Sequence, residues 1–411
     1  MNIFAQLILK SKVYIAGLLK YLLSMLAPQN VNHVVVFPQI TDSAEATDIY
    51  WKLSYYCPRD TEIEMYVGFD VTIGAIPEYL SAIEPNLSIK PLVKKIGLAG
   101  LIKSMLQGKA IAVADVEAEN SKYAFILGTY VFKIDRHHHQ WVSWEYINLY
   151  NHLVQEPPTA NDAKLFKEFI KALPDYKKSY VFGTGPSLGL FDKYDFSDGF
   201  RIVCNTIVKS EDVINTIQPH LIVAADGLYH FSCTTYAYQF RKDLSRRLRD
   251  TEMCLLIPDM FKGVFCREYP DIKHKVIGIP IQVKPNEISN MRLMEEFRLS
   301  PVGNVLNLVL LPLSSSLSNV IYFLGFDGRA PDSKMFWNHN LSTQYNDLMD
   351  DLVKSDPAFF DLTNYESYSS QQSEDADMIM TYGESLGKTY TSLVKSYNPA
   401  FTSRSKELIN I

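Results

Sequence analysis

The stretch Tyr180-Val181-Phe182-Gly183-Thr184-Gly185-Pro186-Ser187-Leu188 constrains the fold more than any other part of the chain. Three apolar residues in a row suit a short strand covered on both faces of a parallel sheet. Gly183 and Gly185 let the backbone turn sharply and approach another group closely. Pro186 has no N–H to satisfy, so it fits the first position of a helix. Ser187 then stands where a hydroxyl and first-turn amides meet an anion, with the helix dipole adding attraction. Strand, glycine turn and helix start together read as a phosphate or nucleotide cradle. The same glycines also serve a tight βα turn that holds no ligand.

Around this stretch the sequence alternates between strand and helix signals. Strands are expected at His33–Phe37, Glu62–Val67, Leu87–Lys90 and Ala110–Ala114, with helices at Ala44–Tyr55 and Leu98–Leu106. That rhythm implies a first open parallel sheet. Pro157 and Pro158 mark a linker over Gln155–Thr159, and a helix over Asp162–Leu173 leads into a second sheet. Its strands are the opening stretch, Arg201–Asn205, Pro219–Asp226, Cys254–Pro258, Lys275–Ile279 and Asn319–Leu324. A helix over Asn304–Leu313 is expected to break at Ser314–Ser318. A long polar and aromatic excursion, Arg329 to about Ser373, has the length of an active-site lid. A last helix, Asp375–Leu386, closes on Gly387. The fold class is therefore α/β with two Rossmann-like domains.

Composition narrows the function. The 411 residues suffice for two domains, and 47% hydrophobic with 21% charged residues is a globular balance. A formal net charge of -6 argues against nucleic acid as partner. Cys57, Cys204, Cys233, Cys254 and Cys266 are scattered without a CxxC pair, which fits a reducing compartment and no structural zinc. Residues 1–28 are strongly apolar but carry Lys10, Lys12 and Lys20. Each lysine costs roughly 2.5–3.5 kcal/mol at a bilayer centre, so an amphipathic helix lying in the membrane surface fits better than a span. Packing of that helix on the protein itself is the other reading.

Gly183, Asn205 and Asp226 all fall at expected carboxyl ends of strands, where open α/β sheets collect ligands. The run Arg136-His137-His138-His139 reads as a solvated loop, because neighbouring side chains diverge and three adjacent imidazoles cannot share one metal. Asp42, Asp70 and Asp115 lie near strand ends of the first sheet but carry no motif.

Three stretches taken together, Phe182-Gly183-Thr184-Gly185-Pro186-Ser187-Leu188, Val203-Cys204-Asn205 and Ile321-Tyr322-Phe323-Leu324-Gly325-Phe326-Asp327, resemble bacterial CMP-sialic-acid-dependent sialyltransferases. They also resemble the wider group with flagellin-modifying transferases and 6-hydroxymethylpterin diphosphokinase-like proteins. The likeness covers about Tyr180 to His339. It departs from the family in reading Gly-Phe-Asp-Gly rather than Gly-x-Asp-Phe, and in lacking a T-S-G before the last core helix. The donor sugar is left open on that account.

The resemblance implies an inverting, metal-independent glycosyltransferase. It would move a nonulosonic or related acid from a CMP-activated donor onto a cell-surface glycan or lipid-linked acceptor. The likeness does not reach the first 150 residues; the chain as a whole reads as a GT-B-like arrangement, with residues 1–28 as the amphipathic helix and 29–154 as the acceptor-side domain. A linker and helix over 155–174 would lead to 175–411 as the nucleotide-sugar domain, with lid and C-terminal helices. Candidate nucleotide contacts are Gly183, Thr184, Gly185, Pro186, Ser187, Asn205, Asp226, Gly303, Asn304, Gly325 and Asp327. Ser187 and the helix start at Gly303-Asn304 would take phosphate. His339, following the Gly325-Phe326-Asp327 strand end, would be the general base, with His230 as rival and Asp226 beside it. No cofactor is required beyond the CMP-sugar. The site would lie on the cytoplasmic face of the membrane, with the protein held peripherally. A diphosphokinase-like enzyme would instead use ATP and magnesium, held by Asp226 and Asp327. A nucleotide-binding scaffold of envelope assembly is the non-catalytic reading.

Overall fold

The structure, a computed structural model, describes residues 33–40, 42–58, 61–67, 73–75, 77, 80, 87–91, 103, 109–113, 131–154, 160–328 and 340–405. The expected helix over residues 1–28, the linker prolines, the helix over 98–106, Asp70, Asp115 and His339 lie outside the described residues. The chain divides into two compact units. The first is Met1–Glu156 with Val353–Leu362, and the second is Pro157–Leu352 with Thr363–Ile411.

In the first unit, β1 (His33–Ile40), β2 (Glu62–Val67), β3 (Leu87–Pro91), β4 (Lys109–Val113) and β5 (Val131–Lys133) form a parallel sheet ordered β3-β2-β1-β4-β5. The helix Ser43–Tyr56 follows β1 and starts on Asp42, whose carboxylate accepts from Ala44 N and Glu45 N at 2.6 and 3.1 Å. Asp42 is thus an N-cap, holding two amides that a helix start leaves over. The segment Val353–Leu362 is anchored here by a buried charge cluster. Lys52 Nζ donates to Ser355 O at 2.9 Å and pairs with Asp48 at 3.0 Å, and Ser143 Oγ donates to Asp356 Oδ1 at 3.0 Å. The histidine run forms an exposed turn whose amides at 137 and 138 donate to Asp135 Oδ1.

The second unit holds a parallel sheet of seven strands flanked by helices. These are β6 (Lys178–Phe182), β7 (Phe200–Cys204), β8 (Leu221–Val223), β9 (Cys254–Pro258), β10 (Val276–Ile279), β11 (Val320–Leu324) and β12 (Thr389–Ser392), ordered β10-β9-β8-β7-β6-β11-β12. Val181, Phe182, Ile202, Val203, Leu221, Ile222, Leu255, Leu256 and Ile277 are fully buried, as strands covered on both faces require. From β6 the chain steps outward through β7 to β10, then returns to the far side of β6 for β11 and β12. That reversal makes the β6/β11 boundary a topological switch point, where strand ends diverge into a crevice.

Three sequence expectations are corrected. The strand expected over Pro219–Asp226 ends at Val223, and Asp226 sits in the following loop. The serines do not stop the helix after Asn304. A π-helical turn, Leu306–Leu310, runs into an α-helix, Leu311–Leu317. Inside it, Ser314 Oγ donates to Leu310 O and Ser316 Oγ to Pro312 O, both at 2.7 Å, so each hydroxyl is satisfied by its own helix. The helix expected at Asp375 starts ten residues early, at Tyr365, capped by Asn364, continues to Ser385 and is not the last, since a short helix Pro399–Thr402 follows it. Among the described residues no helix is long and apolar enough to cross a membrane.

Candidate functional site

The glycine turn and the end of β11 are built against each other. Gly183 N donates to Leu324 O and Gly185 N to Gly325 O, each at 2.8 Å, so the ladder continues past both strand ends. A Cβ on Gly183 would lie 2.4 Å from Gly325 O, and one on Gly325 would lie 2.1 Å from Gly183 O. Gly325 also holds φ +84°, which glycine alone adopts without cost. These glycines exist for close approach of two backbones.

Beyond the turn the chain enters a 3-10 helix, Pro186–Lys193. Its anion position is taken by the protein's own carboxylate. Ser187 N donates to Asp327 Oδ2 at 3.1 Å and Ser187 Oγ donates to the same oxygen at 2.9 Å, while Ser187 Oγ accepts from Gly325 N at 3.0 Å. Leu188 N donates to Gly185 O, and Thr184 O accepts from Asn340 N at 2.7 Å. The amides of 183, 185, 187 and 188 are therefore all engaged within the chain. Burial raises the Asp327 carboxyl above its ordinary range despite the two Ser187 donors.

The neighbouring strand ends are different. Asn205 follows β7 in the left-handed region at φ 52°, a conformation that glycine adopts freely and asparagine at a small cost. Its Oδ1 is buried without a hydrogen-bond partner, and so is Thr206 Oγ1. Asp226 follows β8, the strand beside β7. Its Oδ1 accepts from Leu228 N and Tyr229 N, both at 2.8 Å. Burial outweighs those two donors and pushes the Asp226 carboxyl up to about 6. Tyr229, Tyr236 and Tyr368 lie within its electrostatic reach, and their hydroxyls are pushed up by burial first and by Asp226 second.

The rival base His230 is closed off. It is 2% exposed, packs tilted against Phe240 with ring centroids 4.4 Å apart and accepts from Asp226 N through Nδ1 at 3.2 Å. Burial lowers it to about 3, so it stays neutral and positions the Asp226 loop. Arg241, 1% exposed, secures that loop from the other side by donating to His230 O at 3.2 Å and Ser232 O at 2.8 Å.

A second asparagine at positive φ, Asn304 at 22°, opens the π-helical turn beside exposed Gly303. Asn304 Oδ1 accepts from Asn307 N at 2.9 Å, and its amide donates to Gln372 Oε1. Asn307 Nδ2 donates to Gln372 O at 2.8 Å, yet Asn307 Oδ1 is buried without a partner. Tyr368 bonds Gln372 as well, which links this cluster to the surroundings of Asp226. π-helical turns recur at functional sites.

Sequence reasoning missed Asn307, Tyr368, Gln372 and Arg241. Asn307 had a signal, as the lone polar residue inside the apolar run Val305–Leu313; Gln372 had none, lying in a polar stretch ahead of the expected helix. No protein-family model matches the chain, and neither a curated protein nor a solved structure does.

Proposed function

We propose that the second unit binds a nucleotide at the carboxyl ends of β7 and β8, and that the chain is an inverting glycosyltransferase. It takes a nonulosonic or related acid from a CMP-activated donor and transfers it to a surface glycan or lipid-linked acceptor. The first unit supplies the acceptor side in a GT-B-like arrangement, peripheral to the cytoplasmic face of the membrane. The observation that carries the nucleotide reading is Asn205: a left-handed backbone and an orphaned buried amide oxygen at one strand end are costs that a bound ligand would repay.

The leaving group of such a donor is a phosphate, so the first task is to stabilise its growing charge. Exposed Gly303 and the first turn of the following helix suit that task, since helix starts leave amides without intrahelical partners. The second task is to remove a proton from the acceptor hydroxyl. Asp226, held near 6 by burial, suits general-base work close to neutral pH. His339 is the imidazole alternative from the sequence. The diphosphokinase reading is weaker, because Ser187 already draws on both oxygens of Asp327 and would compete with magnesium for them.

A thermal-shift panel of CMP, CDP, UDP, GDP and ATP, with and without magnesium, tests the proposal. A ligand at a hundred times its Kd stabilises by about 2.7 kcal/mol. Cytidine nucleotides are expected to raise the melting temperature without magnesium, and Asn205→Ala to abolish the rise. A rise only with ATP and magnesium would transfer the protein to the diphosphokinase reading.

A further inference from the structure

We propose that His33, Glu62 and Glu64 form a binding site for one divalent transition-metal ion, at the amino-terminal edge of the sheet in the first unit. His33 opens β1 and Glu62 opens β2, and the register sets them opposite each other. Glu64, two residues on, projects from the same face as Glu62. His33 Nδ1 lies 3.2 Å from Glu62 Oε2, and Nε2 lies 3.4 Å from Glu64 Oε1. One ligand atom from each residue fits within 4.8 Å of the other two, and among the described residues this is the one group of three or more His, Cys, Asp or Glu side chains so arranged. Ligands sharing one ion at about 2.0–2.2 Å sit roughly 3–3.5 Å apart. An imidazole gives an ion one lone pair, so the Nε2–Glu64 contact is the coordination edge, and Glu62 completes the set within the wider 4.8 Å spacing.

The competing arrangement is a protonated imidazole held between two carboxylates. It requires Nε2–H to donate to Glu64, and that hydrogen bond is not made. Nε2 is buried without a partner although a carboxylate oxygen lies 3.4 Å away. The ring nitrogen is not aimed at the oxygen, which leaves its lone pair for a third body. Glu62 and Glu64 carry like charges on one strand face, a repulsion that a bound cation would offset. One imidazole and two carboxylates suit Mn2+, Zn2+ or Fe2+. The amino-terminal edge is not where such sheets do chemistry, so the ion ties β1 to β2 structurally.

Mn2+ titration of the full chain, read by loss of the free-ion paramagnetic resonance signal, tests this. Mn2+ is chosen because the exposed imidazoles of His137 and His138 favour softer ions. One Mn2+ per chain is expected, with affinity at least about tenfold weaker in both His33→Ala and Glu64→Gln. Mn2+ should raise the melting temperature of the parent protein and not of either variant. The proposal falls if the parent shows no stoichiometric site, or if Glu64→Gln binds Mn2+ as the parent does. That variant keeps the size of the side chain, so its result stands even where His33→Ala fails to fold.

Discussion

One sheet treats the polar groups at its carboxyl edge in two opposite ways. At the β6/β11 boundary every turn amide from 183 to 188 that the hydrogen-bond pattern fixes is satisfied, and Asp327 fills the position of an anion. At the β7 and β8 ends, Asn205 is left-handed with an orphaned oxygen, and Asp226 is a carboxylate that its surroundings disfavour. Burial disfavours the Asp327 carboxylate too, but its contacts with Ser187 are made, whereas the second region also leaves a buried oxygen and a buried hydroxyl without partners. A glycine-rich turn is therefore poor evidence of a ligand until its amides have been accounted for. Unsatisfied groups beside it are better evidence, since evolution has little other reason to keep them.

If the β6/β11 boundary is architecture, breaking it should cost stability before anything else. Gly325→Ala is expected to have the largest effect. The added Cβ would lie 2.1 Å from Gly183 O, at a φ of +84° that alanine avoids. Neither atom can retreat, because both belong to backbones pinned by ladder hydrogen bonds. A loss of about 3 kcal/mol or more is expected in urea unfolding. A loss below about 1 kcal/mol would mean that the turn has room to move, and with it room for a phosphate.

The Asp226 side of the comparison predicts a pH dependence of definite sign. Its carboxyl is raised from an ordinary 3.8 to about 6, so the folded protein prefers the protonated form. Stability attached to this group is full below about pH 4 and is lost as the pH climbs through about 6. A displacement of that size allows a change on the order of 2–3 kcal/mol. His230 works in the other direction. It is lowered to about 3, so its neutral state favours folding above about 6.5, and that advantage fades as the pH falls. Asp226→Asn isolates the first effect. Its stability gain over the parent should be near zero at about pH 4 and grow to about 2 kcal/mol at about pH 7. Equal gains at both pH values would show that the carboxyl titrates normally and is no base.

Much of this frame was legible in the sequence, for reasons visible residue by residue. Buried parallel strands announce themselves as short apolar runs, so Cys254–Pro258 matches β9 to the residue, and the alternation of acidic and apolar residues over Glu62–Val67 matches β2 as closely. Helix Thr235–Asp250 carries a four-residue spacing of Tyr236, Phe240, Leu244 and Leu248, yet its many arginines and lysines mask that apolar stripe. Strand β12 is short and polar, and only pairing with β11 makes it a strand. Asn205 is readable as a strand-end residue, but its left-handed backbone and its orphaned oxygen depend on tertiary surroundings. The partner of Ser187 was beyond reach for the same reason, since Asp327 is 140 residues away along the chain.

The smallest effect sharpens the comparison most. Asn205→Gly removes a side chain whose oxygen is buried without a partner, and it relieves a left-handed backbone at φ 52°. Glycine accepts that conformation freely, while its extra freedom in the unfolded chain takes back part of the gain. Stability should stay level or rise by about 0.5 kcal/mol. The melting-temperature rise given by cytidine nucleotides should disappear in the same variant. Stability and binding moving apart in this way is the signature of a residue kept for a ligand. If Asn205→Gly instead loses about 1 kcal/mol or more, the amide serves the fold, and the β7 end would have to be regarded as architecture like the turn beside it.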